Sequence, residues 1–379
     1  MLTRRAQLIS VAAIAILGSL VTSCTDDSEW GGPGAAAAGI EAQLAQIVDD
    51  GAARDDVAGV IAAVRFGDGS EWVHTAGAAD VETGAPIDEA MTWPIRSITK
   101  SFAITVLLQL VDEGVVSLDD TVDEYVAGVP GGDRVTLGQL ALMSSGLPEY
   151  ANEAFVDDFV DDTDRVFTDE ELLAYTDGEE SLFEPGAEHV YTNTNTLLLG
   201  MVLSDATGTP IAELISERLL VPLALDATSY APEVSEVRDD VPTGHAPDGD
   251  GGLGTQPLTF GVFGASGAMA STVEDLLDWG QVLGAGSEIS AASHDERLGS
   301  ATPLDGGPEY DAYGLGIGEL DGWWGHTGDG LGYTTLVMYD PDSATTVVIL
   351  VNVTNLDEHL PTSLFREVVP VLERADGVS

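Results

Sequence analysis

Lysine and cysteine are almost absent from this chain of 379 residues, which contains one copy of each. The single cysteine, Cys24, excludes an internal disulfide framework and any Cys-x-x-Cys metal or redox motif. Only 13 basic residues stand against 65 acidic ones, and the formal net charge is −52. Because such a chain repels phosphate backbones, nucleic-acid binding is excluded as its main function. The hydrophobic content of 44% supplies a core and excludes wholesale disorder.

The N-terminal residues have the pattern of a targeting segment. Arg4 and Arg5 precede an apolar run, Leu8–Leu20, which is too short to span a bilayer comfortably and fits a signal peptide over residues 1–23. The segment Val21-Thr22-Ser23-Cys24 resembles a bacterial lipobox, which predicts cleavage before Cys24 and its thioether lipidation. The alternative is a plain signal peptide with an incidental cysteine. We expect residues 24–40 to tether a secreted protein to the outer face of the bacterial cytoplasmic membrane.

The rest of the chain, residues 41–375, is periodic and predicts one catalytic domain. Strand patterns occur near both chain ends, at Val57–Phe66, Glu71–Ala78, Gly314–Leu320, Gly332–Tyr339 and Thr345–Val353. Helical patterns occur at Glu41–Asp50, Phe102–Val111, Leu137–Met143, Asp169–Tyr175, Thr196–Asp205, Ile211–Leu220 and Leu360–Arg374. This order predicts an α/β (α+β) fold in which both chain ends build one antiparallel sheet flanked by helices. A mainly helical domain is inserted at about residues 115–260.

Two acidic stretches, Asp157–Asp164 and Asp239–Gly252, are interpreted as solvated loops. Calcium binding by Asp248 and Asp250 is disfavoured because the glycine is misplaced for an EF-hand. We therefore expect no metal and no cofactor.

The only lysine, Lys100, follows Ser97 by three residues at the start of the buried helical pattern Phe102–Val111. This spacing places both side chains on one helical face, about 5–6 Å apart at Cβ. A serine needs a base to become a nucleophile, and burial lowers the pKa of a lysine toward that role. The helix N-terminus would also stabilise a developing oxyanion. The pattern predicts a Ser97 nucleophile with Lys100 as its partner.

A second candidate motif is Tyr191-Thr192-Asn193, which precedes an apolar helical pattern. The Tyr191 phenol could relay the serine proton to the leaving group, and the Asn193 amide could orient the substrate and the lysine. Tyr150-Ala151-Asn152 has the same pattern, but the Pro185-Gly186 turn favours Tyr191. The structural alternatives are a core aromatic at Tyr191 and a helix cap at Asn193.

The third motif, His326-Thr327-Gly328, lies ahead of the strand pattern Gly332–Tyr339. On an edge strand, a glycine would let a substrate backbone approach closely. The N–H of the next residue, Asp329, could complete an oxyanion hole.

With these three motifs, the chain resembles the serine β-lactamase and penicillin-binding DD-peptidase superfamily. Within it, the chain is most similar to secreted D-alanyl-D-alanine carboxypeptidases with a His-Thr-Gly third motif. The resemblance covers about residues 41–373 and includes Tyr313-Gly314-Leu315-Gly316. It implies a β-lactamase/transpeptidase-like fold with an acylated serine at Ser97, a base partner at Lys100 and a second motif at Tyr191 and Asn193. It also implies an oxyanion hole formed by the N–H groups of Ser97 and Asp329.

Two features depart from those carboxypeptidases. Asp329 follows His-Thr-Gly in place of a small residue, and no arginine occurs between Arg297 and Arg366 to hold a substrate carboxylate. The leading hypothesis is a serine acyl-hydrolase acting through a Ser97 acyl-enzyme, namely a D-alanyl-D-alanine carboxypeptidase-type peptidase or a β-lactamase-related hydrolase. Its substrate could be a stem peptide, a D-amino-acid amide, an ester or a β-lactam. The alternatives are an esterase or D-aminopeptidase of the same fold, a penicillin-binding sensor lipoprotein without turnover, and an inactive surface lipoprotein. The expected partners are this substrate and a membrane, and we expect a monomer.

Overall fold

The computed structural model describes residues 33–230, 240–304, 309–354 and 358–376. The strands are β1 Gly59–Arg65, β2 Glu71–Gly77, β3 Trp93–Pro94, β4 Ser229–Tyr230, β5 His245–Pro247, β6 Leu253–Thr255, β7 Met269–Ser271, β8 Thr302–Pro303, β9 Ala312–Tyr313, β10 Gly318–Leu320, β11 Trp323–Gly330, β12 Tyr333–Asp340 and β13 Thr345–Val351. The α-helices are α1 Pro33–Ala52, α2 Thr99–Asp112, α3 Leu137–Ala141, α4 Glu153–Asp161, α5 Asp169–Leu173, α6 Asn193–Thr207, α7 Ile211–Ile215, α8 Val273–Ala285, α9 Ala291–Gly299 and α10 Leu360–Asp376.

The main sheet is antiparallel and has eight strands in the order β2-β1-β13-β12-β11-β10-β9-β8. Strands from the two chain ends are direct neighbours in it, and Ile61 of β1 faces Leu350 of β13. Two smaller sheets, β3-β7-β4 and β5-β6, lie in the middle of the chain. The expected sheet of both chain ends, flanked by helices, is therefore the architecture of the protein.

Helices cover both faces of this sheet. Because successive strand residues point to opposite faces, Val60, Ala62 and Val64 pack into a core with α1 and α10. Ile61 and Ala63 face a second core that contains α2 and α8. The sheet thus separates two cores, and α2 is buried along most of its length, as its apolar sequence predicts.

Several sequence expectations differ from the structure. The acidic stretch Asp157–Asp164 is not only loop, because α4 extends to Asp161 and buries Phe155 and Phe159 on its apolar face. In the second acidic stretch, residue 239 lies outside the described residues, and residues 245–247 form β5. There the Asp248 carboxylate accepts hydrogen bonds from the N–H groups of Asp250 and Gly252, which explains this turn without a metal.

The N-terminal segment differs as well. Helix α1 begins at Pro33, so residues 33–40 are helical although their sequence is expected to be a tether. The predicted signal peptide and Cys24 lie outside the described residues. In the part of the chain that the structure describes, no single helix is long and apolar enough to cross a membrane. The helical segments Asn193–Thr207 and Ile211–Leu220 are long and apolar enough only when they are taken together, and they are bent by 84° relative to each other.

Candidate active site

Ser97 lies in a tight turn, Arg96–Ile98, that leads directly into α2. Arg96 has a positive φ of 51°, a conformation that is uncommon for a residue with a side chain. Its buried guanidinium donates hydrogen bonds to the carbonyls of Gly330 and Thr259 at 2.9 and 2.8 Å. These contacts hold the turn, and they leave Ser97 half-buried at the bottom of a cleft.

Lys100 is fully buried directly below Ser97. Its Nζ lies 2.9 Å from the Ser97 Oγ, 2.7 Å from the Asn193 Oδ1 and 2.8 Å from the Ser266 carbonyl oxygen. Burial lowers the pKa of Lys100 to about 7, although the charges of Glu149 and Glu309 oppose this shift. In the neutral amine, the lone pair can accept the Ser97 proton, and the other two contacts hold Nζ in place.

Tyr191 and Asn193 join this pair, and Tyr150 does not. The Tyr191 ring lies over Nζ at 4.9 Å, and Ser97 is among the groups that act on the pKa of its phenol. Burial raises the pKa of the Tyr191 phenol well above its ordinary value. Tyr150 is buried and donates to the Val262 carbonyl at 2.9 Å.

The amides of the two competing motifs also differ. Asn152 caps α4 by accepting from the Phe155 N–H. Asn193 is the first residue of α6, and its side chain faces Lys100 instead of capping the helix. The geometry thus supports the preference for the Tyr191 motif.

The third motif lies inside β11, which the sequence analysis did not predict as a strand. Strand β10 pairs with β11 only as far as Gly325, so in the described residues Thr327 and Asp329 are paired on the β12 side alone. The Thr327 N–H donates to the Tyr310 hydroxyl, away from β12. Because N–H directions repeat every second residue along a strand, the Asp329 N–H points to the same open edge, as an oxyanion hole requires.

The structure shows a different reason for a glycine at position 328 from the one expected. A Cβ at position 328 would lie 2.3 Å from the Ile95 carbonyl oxygen and 3.0 Å from the Arg96 Cβ. The glycine therefore admits the protein's own nucleophile turn and not, as its sequence context predicts, the backbone of a substrate.

His326 and Thr327 do not line the cleft. The His326 imidazole is fully buried, with its nitrogens hydrogen bonded to the hydroxyls of Tyr310 and Tyr313 at 3.1 and 3.0 Å. Burial lowers the pKa of His326 to about 3, so at neutral pH it adds no positive charge to the site. The Thr327 hydroxyl bonds to Tyr310 and Glu309 at 2.7 and 3.2 Å. Both side chains therefore pack outside the cleft, against Tyr310 and its neighbours, and stabilise the strand that borders it.

The cleft itself is a cavity of about 150 Å³. The predicted residues that line it are Ser97, Tyr191, Asn193, Gly328 and Asp329. Lining residues without a predicted role are Arg96, Phe263, Ser266, Gly267 and Glu309. The structure thus gathers the predicted residues around Ser97 and adds a second carboxylate, Glu309.

Asp329 is mostly buried at the rim of this cavity. Burial raises the pKa of its carboxyl to about 6, and the nearby Glu309 acts in the same direction. Its Oδ1 has no hydrogen-bond partner among the described residues. Its side chain therefore stays in the site and does not turn to solvent. The same described residues contain no group of three or more His, Cys, Asp and Glu side chains that could hold a metal ion.

A buried lysine below a serine at a helix N-terminus, with an open strand edge opposite, can activate the serine oxygen for attack on an acyl carbon. Residues 44–365 match the beta-lactamase family, and because this match covers most of the chain, the protein belongs to that family. This family is part of the serine β-lactamase and penicillin-binding-protein superfamily.

Two curated relatives illustrate the similarity. Penicillin-binding protein 4* of Bacillus subtilis (strain 168) is 25% identical over 298 residues, which are 74% of this chain and 64% of that protein. A D-aminopeptidase of Brucella anthropi is 27% identical over 267 residues, which are 70% of this chain and 49% of that protein. The chain thus spans between about half and two thirds of the length of these relatives.

Solved structures share the fold. The D-amino acid amidase of Ochrobactrum anthropi SV3 has a TM-score of 0.78 at 22% identity, with 90% of this chain and 99% of that chain covered. A D-stereospecific amidohydrolase from Streptomyces sp. has a TM-score of 0.72 at 28% identity, with 83% and 94% covered.

Proposed function

We propose that the protein is a serine amidohydrolase or esterase that cleaves substrates without a free carboxylate next to the scissile bond, including D-aminoacyl amides. The Ser97 Oγ attacks the substrate carbonyl while its proton passes to neutral Lys100. The bond to the leaving group breaks as that group takes a proton through Tyr191 and Lys100. Water then attacks the acyl-enzyme and releases the acid, and the proton returns to Ser97.

The observation that carries this proposal is the charge of the cleft. Two carboxylates line it, Asp329 and Glu309. Arg96 also lines it, but Arg96 is only 1% exposed and its guanidinium donates to the protein's own carbonyls. A substrate carboxylate about 6 Å from one of these acids, at an effective dielectric near 20, would be repelled by roughly 3 kcal/mol, about a hundredfold in rate.

The relatives agree with this substrate class. One protein described above is named a D-stereospecific amidohydrolase and another a D-aminopeptidase. The carboxylates of Asp329 and Glu309 would attract an ammonium group on such a substrate, whereas they would repel a substrate carboxylate. The runner-up is a D-alanyl-D-alanine carboxypeptidase, which the similarity to a penicillin-binding protein supports.

A matched pair of peptides separates these two functions. N-acetyl-D-alanyl-D-alanine and its C-terminal amide share the D-Ala–D-Ala bond and differ in terminal charge. Release of D-alanine from the acid and of D-alaninamide from the amide measures cleavage of that shared bond. We expect kcat/KM to be about a hundredfold higher for the amide in the wild type. Asp329→Thr keeps the backbone N–H and should narrow this ratio at least several-fold.

The control is Asp119→Thr, which removes an exposed aspartate that does not line the cleft. It should leave the ratio unchanged. A wild type that prefers the free acid, with the same preference in Asp329→Thr, would restore the carboxypeptidase assignment.

A further inference from the structure

A second, larger cavity adjoins the catalytic cleft. It has a volume of about 970 Å³ and shares two of its lining residues, Phe263 and Asp329, with the cavity around Ser97. The catalytic cavity of about 150 Å³ is far smaller than a usual ligand site, so a substrate of more than a few atoms has to extend beyond it. The shared lining residues make the larger groove the direct neighbour of the catalytic cavity.

Helix α4 forms one side of this groove with an apolar face. Phe155 and Phe159 lie one turn apart and stack at a centroid distance of 6.1 Å, so the floor is well packed. Beside them, Val156 and Val160 line the same groove and are 47% and 67% exposed. On a chain with a net charge of −52, paired exposed valines beside an active site are the feature expected of a binding surface.

The chemistry decides which half of a substrate faces this groove. The proton for the leaving group comes from Tyr191 and Lys100, and Tyr191 packs against Tyr313 and His326, away from the groove. The carbonyl oxygen points to the N–H groups of Ser97 and Asp329. Of the three substituents on the reacting carbon, only the acyl chain remains for the wall that contains Phe263.

We infer that this groove is an acyl-side subsite that binds an apolar acyl group of about six carbons or more, aliphatic or aromatic. The inference rests on the proposed function and narrows its substrate class. A hydrophobic acyl group buries apolar surface against α4, while a group of two carbons stays within the catalytic cavity and gains nothing from the groove.

The test uses p-nitrophenyl acetate, butyrate, hexanoate and octanoate, which share one leaving group. In the wild type, we expect kcat/KM to rise at least about tenfold from acetate to octanoate, since each fully buried methylene contributes up to roughly fourfold. In Val156→Asp and Val160→Asp, a charge at the rim should lower the octanoate-to-acetate ratio by about fivefold or more. Both valines are exposed, so folding should be retained, and thermal unfolding checks this.

Val221→Asp is the matched control, because Val221 is 70% exposed and lies outside the groove. It should keep the wild-type ratio. A wild type that hydrolyses all four esters at equal kcat/KM, with Ser97 acylated in the intact-mass spectrum, would overturn the subsite and leave the proposed function standing. If no ester acylates Ser97, the proposed function fails and the subsite with it.

Discussion

Gly328 lies so close to Ile95 that a methyl group on Gly328 would come within 2.3 Å of the Ile95 carbonyl oxygen. The Thr335 hydroxyl donates to the same oxygen at 3.1 Å. The Ile95 N–H donates to the Met269 carbonyl at 3.0 Å. Strand β11 therefore fixes the position of the turn that carries Ser97, and the two halves of the expected oxyanion hole are held against each other by backbone contact.

Replacing Gly328 with alanine should separate these two halves. The added Cβ would have to push β11 away from the nucleophile turn, because its nearest neighbour is backbone that cannot rotate aside. We expect kcat to fall about a hundredfold or more, as on loss of an oxyanion donor, together with a lower melting temperature. Gly254→Ala is the control, since a Cβ there meets only ordinary contacts from 3.7 Å outward. Equal activity of Gly328→Ala and wild type would disprove this coupling.

Ser97→Ala and Lys100→Ala should each remove nearly all turnover, because a nucleophile and its base act as one unit. Each should lower kcat by about 10³-fold or more, and the double variant should be no worse than the poorer single variant. Steady-state hydrolysis of an activated ester measures the loss, and mass spectrometry after a β-lactam or ester reports the acyl adduct. Multiplicative losses in the double variant would show that Lys100 acts independently of Ser97. Wild-type turnover in Ser97→Ala would end the acyl-enzyme assignment.

The pH profile distinguishes Lys100 from Tyr191 as the base. The base must be deprotonated, so kcat/KM should rise about tenfold per pH unit below the pKa of the base and level off above it. For Lys100, whose pKa burial lowers to about 7, the plateau begins near pH 7. For a Tyr191 phenolate, the rise would continue beyond pH 10, because burial raises the pKa of that phenol. His326, with a pKa lowered to about 3, cannot produce an inflection near 7. An uncharged ester is the substrate of choice.

The parts of the site that are local in sequence could be predicted from it. Ser97 and Lys100 are one helical turn apart, and Asn193 opens a helix, so their relation depends on helix geometry alone. Glu309, Phe263 and Ser266 come from loops and a short turn whose positions depend on the packing of distant segments. No local pattern marks such residues, and the sequence analysis missed all three.

Strand β11 and helix α4 were missed for a different reason. The segment Trp323–Gly330 contains three glycines and an aspartate, which disfavour strands, and it becomes a strand through its pairing with β12. In α4, three aspartates suggested a loop, but Phe155 and Phe159 at a spacing of four form an apolar face that fixes the helix. In both segments, tertiary contacts outweigh intrinsic propensity.

The predicted lipid anchor is tested by Cys24→Ser. Cys24 precedes α1 and every core residue of the described structure, so the substitution should leave activity and melting temperature unchanged. The protein should move from the membrane fraction to the soluble fraction of a bacterial host that processes lipoproteins. Retention in the membrane fraction would refute lipidation at Cys24.

Asp329→Asn should stabilise the protein in a pH-dependent way. Burial raises the pKa of the Asp329 carboxyl to about 6 in the folded protein, against about 3.9 in an unfolded chain. Between these pH values the folded protein binds more protons than the unfolded chain, so the free energy of unfolding falls as pH rises from 4 to 6. Above pH 6 the ionised Asp329 carboxylate lowers the free energy of unfolding by its full amount. Two pKa units correspond to at most about 3 kcal/mol. Asparagine has the same shape without the charge, so the variant should exceed the wild type by up to that amount at pH 8 and differ little at pH 4.

Urea unfolding at the two pH values measures this difference. Asp119→Asn is the control, because Asp119 is exposed and its replacement also removes one negative charge from a chain with a net charge of −52. The stabilisation that this control shows is subtracted from that of Asp329→Asn. What remains belongs to burial of the Asp329 carboxylate. Equal stabilisation by Asp329→Asn at pH 4 and pH 8 would contradict the raised pKa. An ordinary pKa would also indicate that water reaches the Asp329 carboxylate, and water would screen its repulsion of substrate carboxylates.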